Sequence, residues 1–344
     1  MLNLRRNIHP INEYTNQMNS LLNPVAEFGN LVSAREHCRK VLVDLASNDS
    51  KIICLDSDMG GLDSLFGSVL GEQYLDVGIA EANMISIAAG LAKVGLLPVA
   101  HTMAGFAIGR ACEQIRLDVA LHNLPVVIVA SHGGFSSGHY GPTHFCNEDI
   151  ALLRCFPNMT IVVPCDAYEA ELALCSALNN HGPVYIRLGR KPSPILHDTK
   201  TQFVLGKART IRAGEDIGVI ACGPNALASA IESADQLSSI ASVRVINMPT
   251  IKPLDSETIL KAARELPHLV TVEEHMVSGG LGGAVCELVA QHKLCHVTCI
   301  GVTDTVPSKV GDEFALLKKY GISSAGVSNT ILRLLDINSG VSVT

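Results

Sequence analysis

The chain has 344 residues, 47% hydrophobic and 17% charged, with 26 basic and 33 acidic side chains and a formal charge of −7. At roughly 150 residues per domain this length suggests two domains, and the apolar content supplies sizeable cores and excludes a disordered chain. The acidic balance and the shortness of the basic runs, such as Arg5-Arg6, exclude nucleic acid and an anionic membrane as natural partners.

Residues 1–30 are polar and irregular and read as an N-terminal arm; Arg5 and Arg6 are followed by no apolar segment, so no signal peptide is expected. Ser33 introduces a helix over 34–45. A short buried strand over 52–55 ends in the turn-rich run Asp56-Ser57-Asp58-Met59-Gly60-Gly61. A strand at 74–77 precedes a helix of small residues over 82–93, expected to be buried. Strand 96–100, helix 109–121 and the continuous apolar strand 126–130 follow. After a long Gly-rich loop over 131–145 come helix 148–155, strand 160–163, helix 167–177 and strand 184–188. Residues 191–201, with Pro192 and Pro194, read as a linker. A second alternation runs through strand 217–221, helix 226–237, strand 243–247, helix 256–265, strand 268–272, helix 282–291 and strand 297–302. Helices over 313–320 and 328–335 close the chain. Such alternation predicts an α/β fold of two three-layer domains with mostly parallel sheets, at 31–195 and 205–344.

Familiar motifs are absent or out of context. There is no P-loop, and Gly279-Gly280-Leu281-Gly282-Gly283 has the wrong spacing for a dinucleotide fingerprint. Gly134-Phe135-Ser136-Ser137-Gly138 matches GxSxG, but its serine lies inside a loop and Pro142 follows where a helix should run. The 11 cysteines include no CxxC pair, so they read as reduced, mostly buried residues of a cytoplasmic protein without a zinc site. The longest apolar stretches are too short to span a bilayer.

Four clusters could carry chemistry. Glu81 sits among small apolar residues at a strand-to-helix junction. It is either a solvated acid on a helix dipole or a buried acid that shares a proton with a ligand nitrogen. Phe106 lies in His101–Arg110 and reads, like most Phe residues, as core. His132, His139 and His144 share one Gly-rich loop after a buried strand, where ligands bind in parallel α/β sheets; a histidine metal site is the alternative. Arg187 and Arg190 end a strand, either as surface cations or as an anion clamp.

In order, the strings DVGIAEANM, TMAGFAIGRA, GPTH, PNMTIVVPCDAYEA, GPVYIRLGR and EEHMVSGGLGGAV resemble the C-terminal half of transketolase, in particular split transketolases encoded as two chains. The resemblance runs from about Arg35 to the C-terminus. It implies a pyrimidine-binding domain and a C-terminal domain, with thiamine diphosphate bound between this half and an N-terminal-half partner in a heterotetramer. The Gly-Asp-Gly signature of magnesium–diphosphate binding is missing, so the partner would hold Mg2+. Glu81 would bond the aminopyrimidine, Phe106 would stack on it, and Asp58, Ile79 and Met103 would lie close to the cofactor. His144 would act on substrate. His132, Arg35 and Arg190 would meet the phosphate end of a sugar phosphate, and His139, Tyr140 and Arg110 would contact substrate. The reaction implied is transfer of a two-carbon ketol unit.

Some positions depart from the family pattern. Tyr140 stands where an acid reads a substrate hydroxyl before GPTH, Phe145 replaces a common Gln, and Met103 replaces a frequent aromatic. Leu62 replaces a polar residue, and Val306-Pro307-Ser308-Lys309 replaces a Gly/Glu/Ser-rich segment. Cofactor-activating features are kept and acceptor-reading features altered, which implies a non-standard sugar substrate. A 1-deoxyxylulose-5-phosphate synthase-like enzyme, a 2-oxoacid dehydrogenase β-like subunit and a non-catalytic binding subunit are the competing readings.

Overall fold

A computed structural model describes residues 29–60, 66–197 and 202–336. Most of the segment read as an arm, and Leu62, lie outside the described residues. The first sheet has seven strands in the order β12 (Thr250–Lys252), β6 (Thr160–Val162), β7 (Val184–Arg187), β5 (Val127–Ser131), β4 (Leu97–Met103), β2 (Ile52–Asp56), β3 (Tyr74–Asp76). All its pairs are parallel except β12 with β6. The helices that accompany it are α1 (Ala34–Asn48), α2 (Glu81–Lys93), α3 (Ala104–Gln114), α4 (Asp149–Arg154) and α5 (Ala167–Leu178). A second sheet of five strands runs β14 (His296–Val302), β13 (His268–Met276), β10 (Ile217–Ala221), β11 (Val243–Asn247), β9 (Arg209–Arg212), parallel except at β9. Its helices are α6 (Pro224–Gln236), α7 (Ser256–Glu265), α8 (Leu281–His292), α9 (Glu313–Lys319) and α10 (Ser324–Leu334).

The reasons are visible in the residues. Every residue of β5 is buried, as a continuous apolar run between two helical layers requires. Helix α2 buries Met84, Ile85, Ala88, Ala89 and Ala92, and its small side chains let α3 approach closely. Ser33 caps α1 by accepting from Glu36 N–H, and Asp166 caps α5 by accepting from Glu169 N–H. Each fully buried large residue, such as Met84 or Ile85, adds about 1.5–3 kcal/mol.

Three elements differ from expectation. Helix α3 begins at Ala104, not at Gly109, and continues as a π turn over Ile115–Ala120. Gly105 and Gly109 weaken the local helix signal, but the buried face Ala104, Ala107, Ile108, Ala111 holds the helix in place. The segment expected as a linker is packed in its described part. Its β8 (Ser193–Pro194) pairs with β1 (Leu31–Val32), and Ile195 and His197 are buried. Asp166 holds it by accepting Leu196 N–H and His197 N–H at 2.8 and 3.0 Å. Finally, β12 belongs to the second half in sequence yet closes the first sheet. One apolar cluster accordingly contains Leu55, Met84 and Tyr185 together with Ile246, Leu269 and Leu281.

Five cysteines are buried, five partly buried and one, Cys155, exposed; all eleven are free thiols. Among the described residues no helix is long and apolar enough to cross a membrane.

Candidate active site

The parallel strands of the first sheet end together at Asp56, Asp76, Met103, Ser131 and Arg187, and their following loops build one site at that carboxyl edge. Asp76 organises the first corner. Its carboxylate accepts Gly78 N–H at 2.8 Å and Asp58 N–H at 3.2 Å, joining two loops. Gly78 has φ +70°, which lets the chain turn sharply into α2. Asp56, beneath, is buried and accepts Ser57 N–H at 2.8 Å and the Tyr74 hydroxyl at 3.2 Å; burial pushes its carboxyl up to about 6.

Glu81 is the first residue of α2 and is 3% exposed. That excludes the solvated acid of the first reading. Phe106 and Arg110 lie one turn apart on α3. The Arg110 guanidinium donates to Glu81 Oε1 and Oε2 at 2.9 and 3.1 Å and lies 4.1 Å from the Phe106 ring centroid. A flat, cationic donor is therefore held between a buried carboxylate and an aromatic face. Those are the features of a protonated aminopyrimidine, so the donor set and ring geometry fit such a heterocycle. Ile79, 70% exposed, and Asp58, exposed with φ +57°, stand at the rim, and Met103 is half-buried directly before α3.

The Gly-rich loop forms the opposite wall. The Phe106 ring meets His144 edge-on at 5.4 Å, His144 meets Tyr140 at 4.7 Å, and Tyr140 meets His139 at 3.9 Å. His144 Nδ1 is 2.9 Å from Thr143 Oγ1. The GxSxG serine is no nucleophile: Ser136 is buried and its hydroxyl donates to Gly133 O at 2.7 Å. The loop's glycines serve close packing. A Cβ on Gly134 would lie 2.3 Å from Glu274 Oε1, and one on Gly138 would lie 2.4 Å from Gly311 O.

His132 has φ +62°, is buried, and bonds Ser131 Oγ through Nδ1 at 2.7 Å. Burial first, then the charges of Arg35, Arg190 and Arg39, push its imidazole down to about 3. It is a neutral imidazole among three guanidinium groups, an arrangement suited to an anion. Arg39 escaped the sequence reading. It is buried, its Nη1 donates to Glu36 at 3.1 Å, and its Nε has no partner. The available signal was its spacing, four residues after Arg35 on one helix face. Glu36 also accepts from Arg35 Nε at 2.9 Å.

Arg187 and Arg190, read together in sequence, have separate roles. Arg187 is buried and pairs with Asp149 at 2.8 Å. It also donates to Cys146 O at 2.8 Å and Glu274 O at 3.0 Å, fastening the first sheet to β13. Its guanidinium and the Tyr185 hydroxyl lower the Asp149 carboxyl against the effect of burial. Among the described residues, the group of His, Cys and carboxylate side chains close enough to share a metal is Cys165, Asp166 and His197, which does not include the loop histidines.

Comparison with known proteins shows what the chain is similar to. A family described as the transketolase pyrimidine binding domain matches residues 31–194, and one described as the transketolase C-terminal domain matches 206–327. The chain is 36% identical over 287 residues to the 6-deoxy-6-sulfo-D-fructose transketolase subunit SqwH of Clostridium sp., covering 83% of this chain and 88% of that one. It is 34% identical over 309 residues to one of the subunits of the apulose-4-phosphate transketolase of Phocaeicola vulgatus, covering 89% and 98%. A solved split-gene transketolase, described as an inactive beta4 tetramer, superposes with TM-score 0.81 at 36% identity over 90% of this chain and 99% of that one.

Proposed function

The chain belongs to the transketolase family, a thiamine-diphosphate-dependent class of transferases, and from that premise we propose that it is the pyrimidine-side subunit of a two-chain transketolase. The observation that carries this reading is the buried Glu81 carboxylate beside the Phe106 ring, with a planar cation between them. Residues 31–195 form the pyrimidine domain and residues 205–344 the C-terminal domain in this reading.

Thiamine diphosphate, when bound, supplies the nucleophilic carbon that carries the two-carbon unit. Glu81 holds a proton at the aminopyrimidine ring nitrogen, and its burial keeps that bond out of competition with water. Phe106 orients the ring by stacking. Arg110, which bonds Glu81 and lies over the Phe106 ring, would give up both contacts to a bound heterocycle and would then face substrate. Asp58, Ile79 and Met103 border the cofactor, and His144 positions the reacting oxygen. His132, as a neutral donor, joins Arg35 and Arg190 in binding a phosphate, with His139 and Tyr140 at the other end of the substrate. An N-terminal-half partner supplies Mg2+ and the diphosphate site; the absence of Gly-Asp-Gly from this chain and the subunit names of its relatives support that division, most simply as a heterotetramer. The 6-deoxy-6-sulfo-D-fructose and apulose-4-phosphate in the relatives' names, together with the altered acceptor positions, support a non-standard sugar as substrate. Eleven free thiols support a cytoplasmic location.

The test is a product screen with the partner co-expressed. Ketol transfer from a ketose phosphate to a modified sugar is expected. A complex that prefers the standard pentose phosphate pair to every modified sugar would refute the substrate reading. Pyruvate consumption with release of carbon dioxide would point to the synthase-like alternative.

A further inference from the structure

Cys286 on α8 and Cys299 on β14 bring their sulfur atoms to 3.7 Å, with either thiol able to donate to the other. The approach is built into the packing. Glu273, on the neighbouring β13, accepts Leu281 N–H and Gly282 N–H, both at 2.7 Å, and so fixes the first turn of α8. Gly282 lets that turn lie directly on the sheet: a Cβ there would sit 2.8 Å from Cys299 Sγ and 2.9 Å from Thr271 Oγ1. Cys286 follows one turn later on the same helix face and thus meets the same sulfur. Both thiols are partly buried, so each is held in place yet open to a small solute. The strand concerned is an edge: among the described residues β14 ends its sheet and pairs with β13 alone.

We propose that Cys286 and Cys299 form a reversible disulfide when the protein meets a peroxide, and that this bond braces the edge strand against the helix covering it. A pair that rests as thiols and closes under an oxidant is the form a disulfide takes in a reducing compartment. Closing from 3.7 Å to the ~2.05 Å of a disulfide is a displacement of two side chains. In the first step the Cys299 thiolate attacks one peroxide oxygen. An S–O bond forms, the O–O bond breaks, and the other oxygen leaves as hydroxide and takes a proton to become water. In the second step the Cys286 sulfur attacks the sulfenic sulfur of Cys299. The S–S bond forms, the S–O bond breaks, and the oxygen leaves as water with the proton from Cys286. Each cysteine sulfur loses one electron and the peroxide gains two. Burial, then the neighbouring Cys299, pushes the Cys286 thiol up to about 12, which leaves the first attack to Cys299.

The experiment treats the full chain with hydrogen peroxide at neutral pH, blocks the remaining thiols, digests the protein and reads cross-linked peptides by mass spectrometry. The expected result is a peptide joining Cys286 to Cys299 in most molecules, reversed by dithiothreitol. The thermal midpoint of the cross-linked chain should stand about 3 °C above that of the reduced chain. Cys286→Ser removes both the cross-link and the rise. Cys155→Ser, at the exposed thiol, keeps both. The first reading is made on the unaltered chain, so a variant that folds poorly does not shield the proposal. Peroxide treatment that yields no peptide joining Cys286 to Cys299 would overturn it. A cross-link that leaves the midpoint unmoved, or a rise that persists in Cys286→Ser, would overturn the bracing role.

Discussion

In the proposed reading, Glu81 concentrates the chemistry of the site in one side chain. A carboxylate at a helix start is usually solvated and stabilised by the helix dipole. Here the side chain is 3% exposed and both its carboxylate oxygens accept from Arg110. Glu81→Gln keeps the shape and loses the proton-holding group. In the assembled complex we expect kcat to fall by about a hundredfold or more, with the thermal midpoint little changed, as steady-state kinetics and melting curves would show. Arg110 makes the opposite prediction. It occupies both the carboxylate and the ring face that a heterocycle would use, and its side chain is 46% exposed, so the interaction contributes only about 1 kcal/mol. Arg110→Ala should therefore tighten thiamine diphosphate binding about fivefold, measured as a Kd by calorimetry on the complex.

At the scale of elements, the site was legible wherever contiguous residues carry it. Glu81, Phe106 and His144 sit in unbroken strings at strand ends, and the structure brings them to one edge of one sheet. The separation of Arg187 from Arg190 was not legible. Their spacing suits a shared clamp, but Arg187 points into the junction because Asp149 waits there from α4, 38 residues away. Arg39 was hidden for the same reason, since only the placement of α1 beside His132 gives it a role. Strand β12 was missed because three residues before Pro253 carry no period. Arg187 also yields a stability prediction. Arg187→Ala leaves Asp149 buried without its counter-charge, and an uncompensated buried charge costs about 3–5 kcal/mol. Chemical denaturation should show a loss of that size, and Arg190→Ala, on a half-buried side chain, should show far less.

For the whole molecule, the two halves act as one body. Strand β12 completes the first sheet, a single apolar cluster contains residues of both halves, and polar contacts cross between them. One of those contacts titrates. Glu274 accepts Phe135 N–H at 2.6 Å and the Asn225 amide at 3.0 Å, and Asn225 also donates to Glu313 at 3.1 Å. Lys191 lies 3.7 Å from Glu313, and Arg187 adds a second positive charge. Burial, then the neighbouring Glu313 carboxylate, pushes Glu274 up from 4.5 to about 7. The folded protein thus binds a proton that the unfolded chain has released. Its stability contribution is full below pH ~4.5 and is lost as pH rises to about 7. Glu274→Gln should flatten the decline in thermal midpoint over that window; an unchanged slope would assign the decline to other groups.

The central claim is that this chain is one side of a shared catalytic site, carrying the carboxylate and ring that address the aminopyrimidine while another chain carries the metal and diphosphate. The most direct measurement is a mixing titration. Purified chain is held fixed with thiamine diphosphate, Mg2+ and a ketose phosphate donor, the N-terminal-half partner is added stepwise, and aldehyde release from the donor is followed. No turnover is expected before addition, and then a rise that saturates when the two chains are equimolar. Robust turnover by this chain alone, or a saturated complex that cleaves no donor, would contradict the claim.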